Sequence, residues 1–172
     1  TTDNTAAVTG SVTSLRNVVI PNTVNGFNVT SISPSAFENR QTNGLTSITI
    51  PESVTSIGNW AFSYARGLAS INIPSGVTQY SGRDFKNTSI DSILYNDNNT
   101  ILVYYPSSLT ATEFTIPVGV TSISDYAFQY ATSLTSITIP DGFTTIGEKA
   151  FYQASNLTEV IMPTSVTLSL IH

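Results

Sequence analysis

The chain has 172 residues, of which only 10% are charged, and its formal net charge is −5 at pH 7. About 25% of residues are charged in an ordinary soluble domain, so a mostly neutral, polar surface of the kind found on secreted proteins is expected. The six Lys and Arg residues are scattered singly, which excludes the basic patch that nucleic acid or an anionic membrane surface would need. No apolar run approaches ~18 residues, so we predict no direct membrane insertion. The chain has no Cys, which excludes disulfides and thiolate metal sites.

An apolar residue followed by proline recurs along the chain at a fixed interval. These pairs are Ile50-Pro51, Ile73-Pro74, Ile116-Pro117, Ile139-Pro140 and Met162-Pro163. The prolines are 23 residues apart from Pro51 to Pro74, and again from Pro117 to Pro140 and on to Pro163. Self-similarity at such a period is the signature of a repeat architecture. The sequence therefore predicts a solenoid of 23-residue coils.

Each unit follows the pattern L-x-x-I-x-I-P-x-x-V-x-x-I-G-x-x-A-F. The first part alternates apolar and polar residues, which predicts a short strand with one buried face, and the proline marks its end. The second part spaces apolar residues by three or four positions after a glycine, which favours a single helical or 3₁₀ turn. Stacking such coils buries the Leu, Ile, Val and Phe side chains of neighbours in one continuous core.

We expect one domain, residues 1–172, with repeats at about 15–44, 45–67, 68–89, 90–113, 114–133, 134–156 and a partial unit at 157–172. The first repeat has seven extra residues, which we assign to loops at 25–28 and 40–43. The unit 90–113 is irregular, because 93–95, 96–99 and 101–105 have the pattern of a strand, a turn and a strand. We predict a β-hairpin that stands off the solenoid.

The repeats resemble the BspA-like, or Treponema-type, leucine-rich repeats of microbial surface proteins. The likeness rests on segments such as 46–51 followed by Val54, Ile57-Gly58 and Ala61-Phe62, and on the hairpin at 94–106. One departure is alanine at 65, 131 and 154, where the family often has Cys. The resemblance implies an α/β-type leucine-rich-repeat solenoid with one hairpin insertion. It also implies a secreted or cell-surface location and attachment to host matrix proteins, other cells or glycans.

Two surfaces are candidates for binding. The first is the outward side of the predicted strands, where small polar side chains form ladders: Ser47, Thr49, Ser70, Asn72, Ser136 and Thr138. Solenoids commonly bind through such faces, although Ser and Thr are also simply soluble strand formers. The second surface is aromatic and includes the hairpin residues Tyr95, Tyr104 and Tyr105.

Further aromatic residues lie around the A-F turns: Trp60, Tyr64, Tyr126, Tyr130 and Tyr152. For Tyr64, Tyr130 and Tyr152, packing over the seam between coils is the interpretation that the repeat favours. For the hairpin tyrosines, binding and packing are equally compatible with the pattern.

The residues that catalysis needs are scarce. His172 is the only histidine and stands at the end of the chain, and no phosphate loop or metal-ligand motif is present. The carboxylate pairs Asp84 with Glu113 and Asp125 with Glu148 could in principle act as in a glycosidase, but solvated surface charge is the simpler interpretation. Asp84 stands where other repeats have alanine, so it must be hydrogen-bonded or turned outward. We predict no catalytic residue, cofactor or metal.

These observations lead to three hypotheses. The first is a non-enzymatic extracellular or cell-surface module that binds a protein or glycan partner. The second is a passive spacer that displays other domains of a larger surface protein. The third, and least favoured, is a glycoside hydrolase that uses a carboxylate pair.

Overall fold

The computed structural model describes residues 5–9, 16–38, 44–78 and 80–163. The predicted loop at 40–43, the end of the partial repeat and His172 lie outside the described residues. The strands are short, and their bounds are β1 (Thr5–Val8), β2 (Asn17–Val19), β3 (Thr23–Val24), β4 (Phe27–Ile32), β5 (Ser47–Thr49), β6 (Ser56–Ile57), β7 (Ser70–Ile71), β8 (Leu94–Tyr95), β9 (Ile101–Tyr104), β10 (Glu113–Thr115), β11 (Ser122–Ile123), β12 (Ser136–Thr138), β13 (Thr145–Ile146) and β14 (Glu159–Ile161).

The strand of each repeat that precedes the proline pairs in parallel with its counterparts in the adjacent coils. One such sheet has the order β2-β5-β7 and the other β10-β12-β14. Ser47 lies opposite Ser70, and Ser136 lies opposite Glu159, as a 23-residue period requires. The solenoid fold is therefore confirmed, and the outward residues of paired first strands align within each of these two sheets.

The returning half of each coil contains a second strand that the sequence pattern did not reveal. These strands, β6, β11 and β13, are two residues long. β6 pairs with β4 in a sheet that also contains β1 and β3, whereas β11 and β13 belong to a sheet with the order β13-β11-β9-β8. Within the described residues, 3₁₀ structure is confined to Gly82–Phe85. A two-residue strand is too short to show an alternation of apolar and polar residues, so the isoleucine in each of these strands is equally compatible with a helical turn. In the described part of the chain, no helix is long and apolar enough to cross a membrane.

The extra residues near Asn25 form a tight hairpin between β3 and β4. The two strands are antiparallel, with Val24 opposite Phe27. Asn25 and Gly26 have φ values of 52° and 82°, the left-handed conformation that a two-residue hairpin turn uses.

The hairpin of the irregular repeat is part of the solenoid, so the prediction that it stands off was wrong. β8 and β9 are antiparallel, as predicted, but β9 also pairs in parallel with β11, with Leu102 opposite Ile123. Leu102 and Val103 are completely buried. The apolar residues of this hairpin need a buried surface, and the neighbouring coil provides it.

A column of stacked aromatic rings runs through the core. The Phe62 ring lies 5.4 Å from that of Phe37 and 5.8 Å from that of Phe85, and both pairs are nearly parallel. Beyond the hairpin, Phe128 continues the stack toward Phe151, with 5.3 Å between ring centroids. Ring contacts of the repeat phenylalanines therefore hold adjacent coils together, in addition to the hydrogen bonds of the sheets.

Gly58 lies where the backbones of two coils come into close contact. A Cβ atom built on Gly58 would lie 2.4 Å from the backbone nitrogen of Pro34. Replacing Gly58 with Ala is therefore expected to lower the free energy of unfolding by about 1–3 kcal/mol, measured by urea denaturation. Gly76 is the matched control, because the nearest atoms to its added Cβ are 3.8 Å away. Equal losses at the two glycines would contradict this explanation.

Candidate functional site

The hairpin tyrosines, which are candidates for the aromatic binding surface, lie mostly in the core. Tyr104 is 7% exposed and packs on Phe85, while Tyr105 is 1% exposed and stacks on Phe128 with 5.0 Å between ring centroids. Tyr95 is half-buried and packs on the second of the two core clusters. Tyr105 takes the place that phenylalanine has in other coils, since its N–H donates to the carbonyl of Ala127 as that of Phe62 donates to Asp84. Of the two interpretations that the sequence leaves open, the burial of Tyr104 and Tyr105 supports packing.

The ladder residues of the first-strand face are at the surface, and some are bonded within the sheet. The Ser47 hydroxyl donates to Asn17 Oδ1 at 2.8 Å. The Asn72 amide bonds both backbone groups of Ile50, donating to its carbonyl at 2.9 Å and accepting from its N–H at 2.7 Å. Thr49 and Ser70 are exposed, whereas Ser136 and Thr138 are half-exposed.

Asp84 is buried and bonded to the backbone. Its carboxylate accepts from the N–H of Trp60 at 2.6 Å and from the N–H of Ser81 at 2.8 Å. Burial raises the pKa of Asp84 to about 7, although these two hydrogen bonds act in the opposite direction. Its supposed catalytic partner, Glu113, is exposed on β10. Asp84 therefore satisfies backbone donors inside the solenoid.

The second carboxylate pair is also engaged locally. The backbone N–H of Glu148 donates to the Asp125 carboxylate at 2.6 Å. The Glu148 side chain instead bonds Lys149 at 2.7 Å, and this contact lowers the pKa of Glu148. In the part of the chain that the structure describes, no group of three or more acidic or histidine side chains could hold a metal ion.

A groove of about 670 Å³ crosses the face formed by the second strands. It is lined mainly by small polar residues and glycines, together with Tyr80. The Tyr80 hydroxyl is buried without a hydrogen-bond partner, and burial raises the pKa of Tyr80 to about 12. The sequence pattern gave no sign of this groove, because the strands that form it were not predicted.

A third surface surrounds the repeat phenylalanines, and we call it the turn face. It consists of the residues two before, one after and two after each of these phenylalanines. The residues two before and two after have left-handed backbone in several coils, with φ values of 60° at Trp60, Tyr64 and Tyr130 and 54° at Tyr126. Bulky side chains rarely adopt this conformation, so the coil-to-coil hydrogen bonds must hold it in place. The Cα–Cβ bonds of these aromatic residues consequently have fixed directions.

The turn face combines exposed aromatic rings with cations. The exposed fractions are 49% for Trp60, 39% for Tyr130 and 40% for Tyr152, so packing accounts for only part of these side chains. Arg83 lies 3.7 Å above the Tyr126 ring centroid, and Lys86 lies 5.2 Å from that of Tyr130. With Lys149, these make three of the six Lys and Arg residues of the chain.

The turn face also has a depression of about 370 Å³ beside Trp60. Its lining residues are Ser35, Glu38, Trp60, Ser63, Tyr64 and Lys86. The aromatic residues around each A-F turn were the available sequence signal for this surface. The depression itself depends on how three adjacent coils align, which no single repeat reveals.

This stack of short parallel strands with a buried aromatic column places the chain among solenoid leucine-rich-repeat proteins. The chain belongs to the BspA-type leucine-rich repeat family, whose model matches six copies over residues 10–107 and 103–169. No match was found among the curated proteins.

Solved structures of leucine-rich-repeat proteins have the same fold. The protein from T. pallidum is 25% identical, with a TM-score of 0.60, over 86% of this chain and 69% of its own. The protein from Bacteroides ovatus is 25% identical, with a TM-score of 0.53, over 87% of this chain and 46% of its own. The pneumococcal vaccine antigen PcpA is 20% identical, with a TM-score of 0.51, over 93% of this chain and 56% of its own, and shows the fold alone.

Proposed function

We propose that this domain is a non-catalytic binding module of a secreted or cell-surface protein, and that it attaches to an extracellular protein or glycan through the turn face. The observation that carries the proposal is the group of exposed aromatic rings and cations on this face of a chain with few charges. Membership of the BspA-type family supports a surface interaction module in general.

The aromatic residues of the turn face have the properties of binding anchors. Trp, Tyr and Arg dominate the energetics of most interfaces, because their large surfaces are removed from water on binding. Trp60 and Tyr130 have left-handed backbone fixed by the coils, so little backbone freedom is lost when a partner binds. Lys86 and Arg83 add hydrogen-bond donors at the same place.

The first-strand face is the second candidate surface. Its exposed residues Thr49 and Ser70 are small and neutral, and neither offers a large surface to a partner. We keep this face, with Ser47, Asn72, Ser136 and Thr138, as the alternative site of binding. The passive spacer is the alternative function, and it requires that no surface of the domain binds a partner.

The test is an array of extracellular matrix proteins and glycans probed with the purified domain and two variants. The turn-face variant carries Trp60→Ser and Tyr130→Asn, residues that other coils have at positions equivalent to these, such as Ser35 and Asn87. The strand-face variant carries Thr49→Lys and Ser70→Lys. We expect saturable binding that weakens about tenfold or more in the turn-face variant and is unchanged in the strand-face variant.

The opposite pattern, with binding lost only in the strand-face variant, would move the site to the ladders. Absence of binding across the array would support the spacer. Circular dichroism of all three proteins is the control for folding, since the replaced side chains are at the surface.

A further inference from the structure

Two coils present the same pair of aromatic residues on the turn face. In the second repeat the pair is Trp60 and Tyr64, and in the fifth it is Tyr126 and Tyr130, each flanking the repeat phenylalanine. The backbone contacts to the following coil are also equivalent. The Tyr64 N–H donates to the Lys86 carbonyl at 2.7 Å, just as the Tyr130 N–H donates to the Tyr152 carbonyl at 3.1 Å.

In the fifth repeat, a ring of the next coil packs against this pair. Tyr152 contacts Tyr126 and Tyr130 edge-on, with centroid distances of 6.0 and 6.4 Å. Arg83 and Lys86 of the preceding regular coil lie over the same two rings. This pair shows that the arrangement accepts a six-membered ring at the place of Tyr152.

In the second repeat, Lys86 stands where Tyr152 stands in the fifth, and the depression of about 370 Å³ is found there. In the described part of the chain, no aromatic ring packs on the Trp60 indole, which is 49% exposed. The coil before the second repeat contributes Ser35 and Glu38 to the depression. The equivalent residues beside the fifth repeat are the longer Arg83 and Lys86. Shorter neighbours thus leave room beside the indole.

We propose that this depression binds a pyranose ring of a neutral glycan, which packs against the exposed Trp60 indole. The inference rests on the proposed function and gives it a ligand class. Sugar rings have apolar C–H faces that fit an aromatic surface, and hydroxyl groups at their rims that can bond Lys86, Glu38 and Ser35.

The polar lining favours a sugar over an aromatic side chain of a partner protein. A phenyl ring in the depression would remove the Lys86 ammonium from water without offering it a hydrogen bond, which is costly. The hydroxyl groups of a sugar can accept from the ammonium and donate to the carboxylate. Because these two charges are opposite in sign, the lining favours a neutral ligand over an anionic one.

Trp60 is the only tryptophan of the chain, so its fluorescence reports on this depression directly. The experiment titrates the domain with maltohexaose, cellohexaose, mannohexaose and chitohexaose while Trp60 emission is recorded. We expect a saturable change with at least one of them, and an affinity about tenfold lower in Tyr64→Asn. Phe27→Asn, which removes an exposed ring of the β3–β4 hairpin outside the turn face, is the control and should leave the affinity unaltered.

Trp60→Ser, followed by calorimetry because it removes the fluorophore, should abolish detectable binding. Equal affinities in Tyr64→Asn and the unmodified domain, or binding that persists in Trp60→Ser, would overturn the assignment. A silent titration with all four oligosaccharides, alongside a protein partner found on the array, would overturn the sugar site while leaving the proposed function intact. Silence in both experiments would remove both proposals.

Discussion

Replacing Phe62 with Ala is expected to lower the free energy of unfolding by about 3–5 kcal/mol, the range for deleting a buried aromatic ring. Phe62 is completely buried and lies in the middle of the aromatic column, between Phe37 and Phe85. Its removal leaves a cavity shared by three coils and takes away both stacking contacts. Urea denaturation followed by circular dichroism measures the change.

Tyr152→Ala is the matched control, because this ring belongs to the turn face and is 40% exposed. Its replacement should cost well under half as much as that of Phe62. A typical domain is stable by about 5–15 kcal/mol, so the Phe62 variant is expected to be partly unfolded near room temperature if this one is at the low end. A loss for Phe62→Ala no larger than that for Tyr152→Ala would contradict the role assigned to the column.

Asp84→Ala is expected to be the second most damaging change, although alanine is what other coils have at this position. Elsewhere the N–H two residues before the repeat phenylalanine donates to a carbonyl of the next coil, as from Tyr126 to Glu148 at 3.1 Å. In the second repeat the corresponding N–H, that of Trp60, donates to the Asp84 carboxylate instead. The residue equivalent to Glu148 in the third repeat is Gly82, which belongs to the 3₁₀ turn.

Removal of the Asp84 carboxylate therefore leaves the N–H groups of Trp60 and Ser81 without their acceptor. Each unsatisfied donor costs about 1–3 kcal/mol when it is buried, and we expect a total loss of about 2–4 kcal/mol because both groups are only partly buried. Urea denaturation measures the loss for Asp84→Ala. Ala61→Gly is the control, because it changes the equivalent position of the second repeat without removing a carboxylate, and the difference between the two losses is due to the carboxylate. A stable Asp84→Ala variant would show that water replaces the carboxylate.

Asp84 also predicts how stability depends on pH. Its pKa is about 7 in the folded chain and close to the ordinary value of 3.8 when the chain is unfolded. Between these values the folded state binds the proton more tightly, so stability should fall as the pH rises from about 4 to 7 and then level off. Melting temperatures at pH 5 and pH 8 test this, and the difference should shrink in Asp84→Asn. A parent protein with equal melting temperatures at both values would contradict the assignment.

The regular part of the fold follows from residues that the repeat states directly. The Ile-Pro pairs mark the end of each first strand, and the 23-residue period brings Ser47 opposite Ser70. The second strands could not be predicted, because Ser56 and Ile57 form a strand only through the neighbouring coils. The hairpin was located correctly, but its partner strand β11 follows it in the sequence and is not indicated by local pattern.

The candidate site was only partly predictable. Trp60 and Tyr130 were recognised as aromatic residues near the A-F turns, yet the sequence did not show that left-handed backbone places them at the surface. The sequence is equally compatible with binding and with packing of Tyr104 and Tyr105, because nothing in it marks Tyr105 as a substitute for the repeat phenylalanine. The ring contacts of Tyr105 with Phe128 make that equivalence visible.

The most direct measurement is hydrogen–deuterium exchange of the domain with and without the partner found on the array. Binding through the turn face predicts slower exchange in the segments 60–64 and 126–130. The exchange rates of the strands that precede the prolines should stay the same. Protection confined to β5, β7 and β12 would contradict the turn-face account and place the partner on the strand ladders.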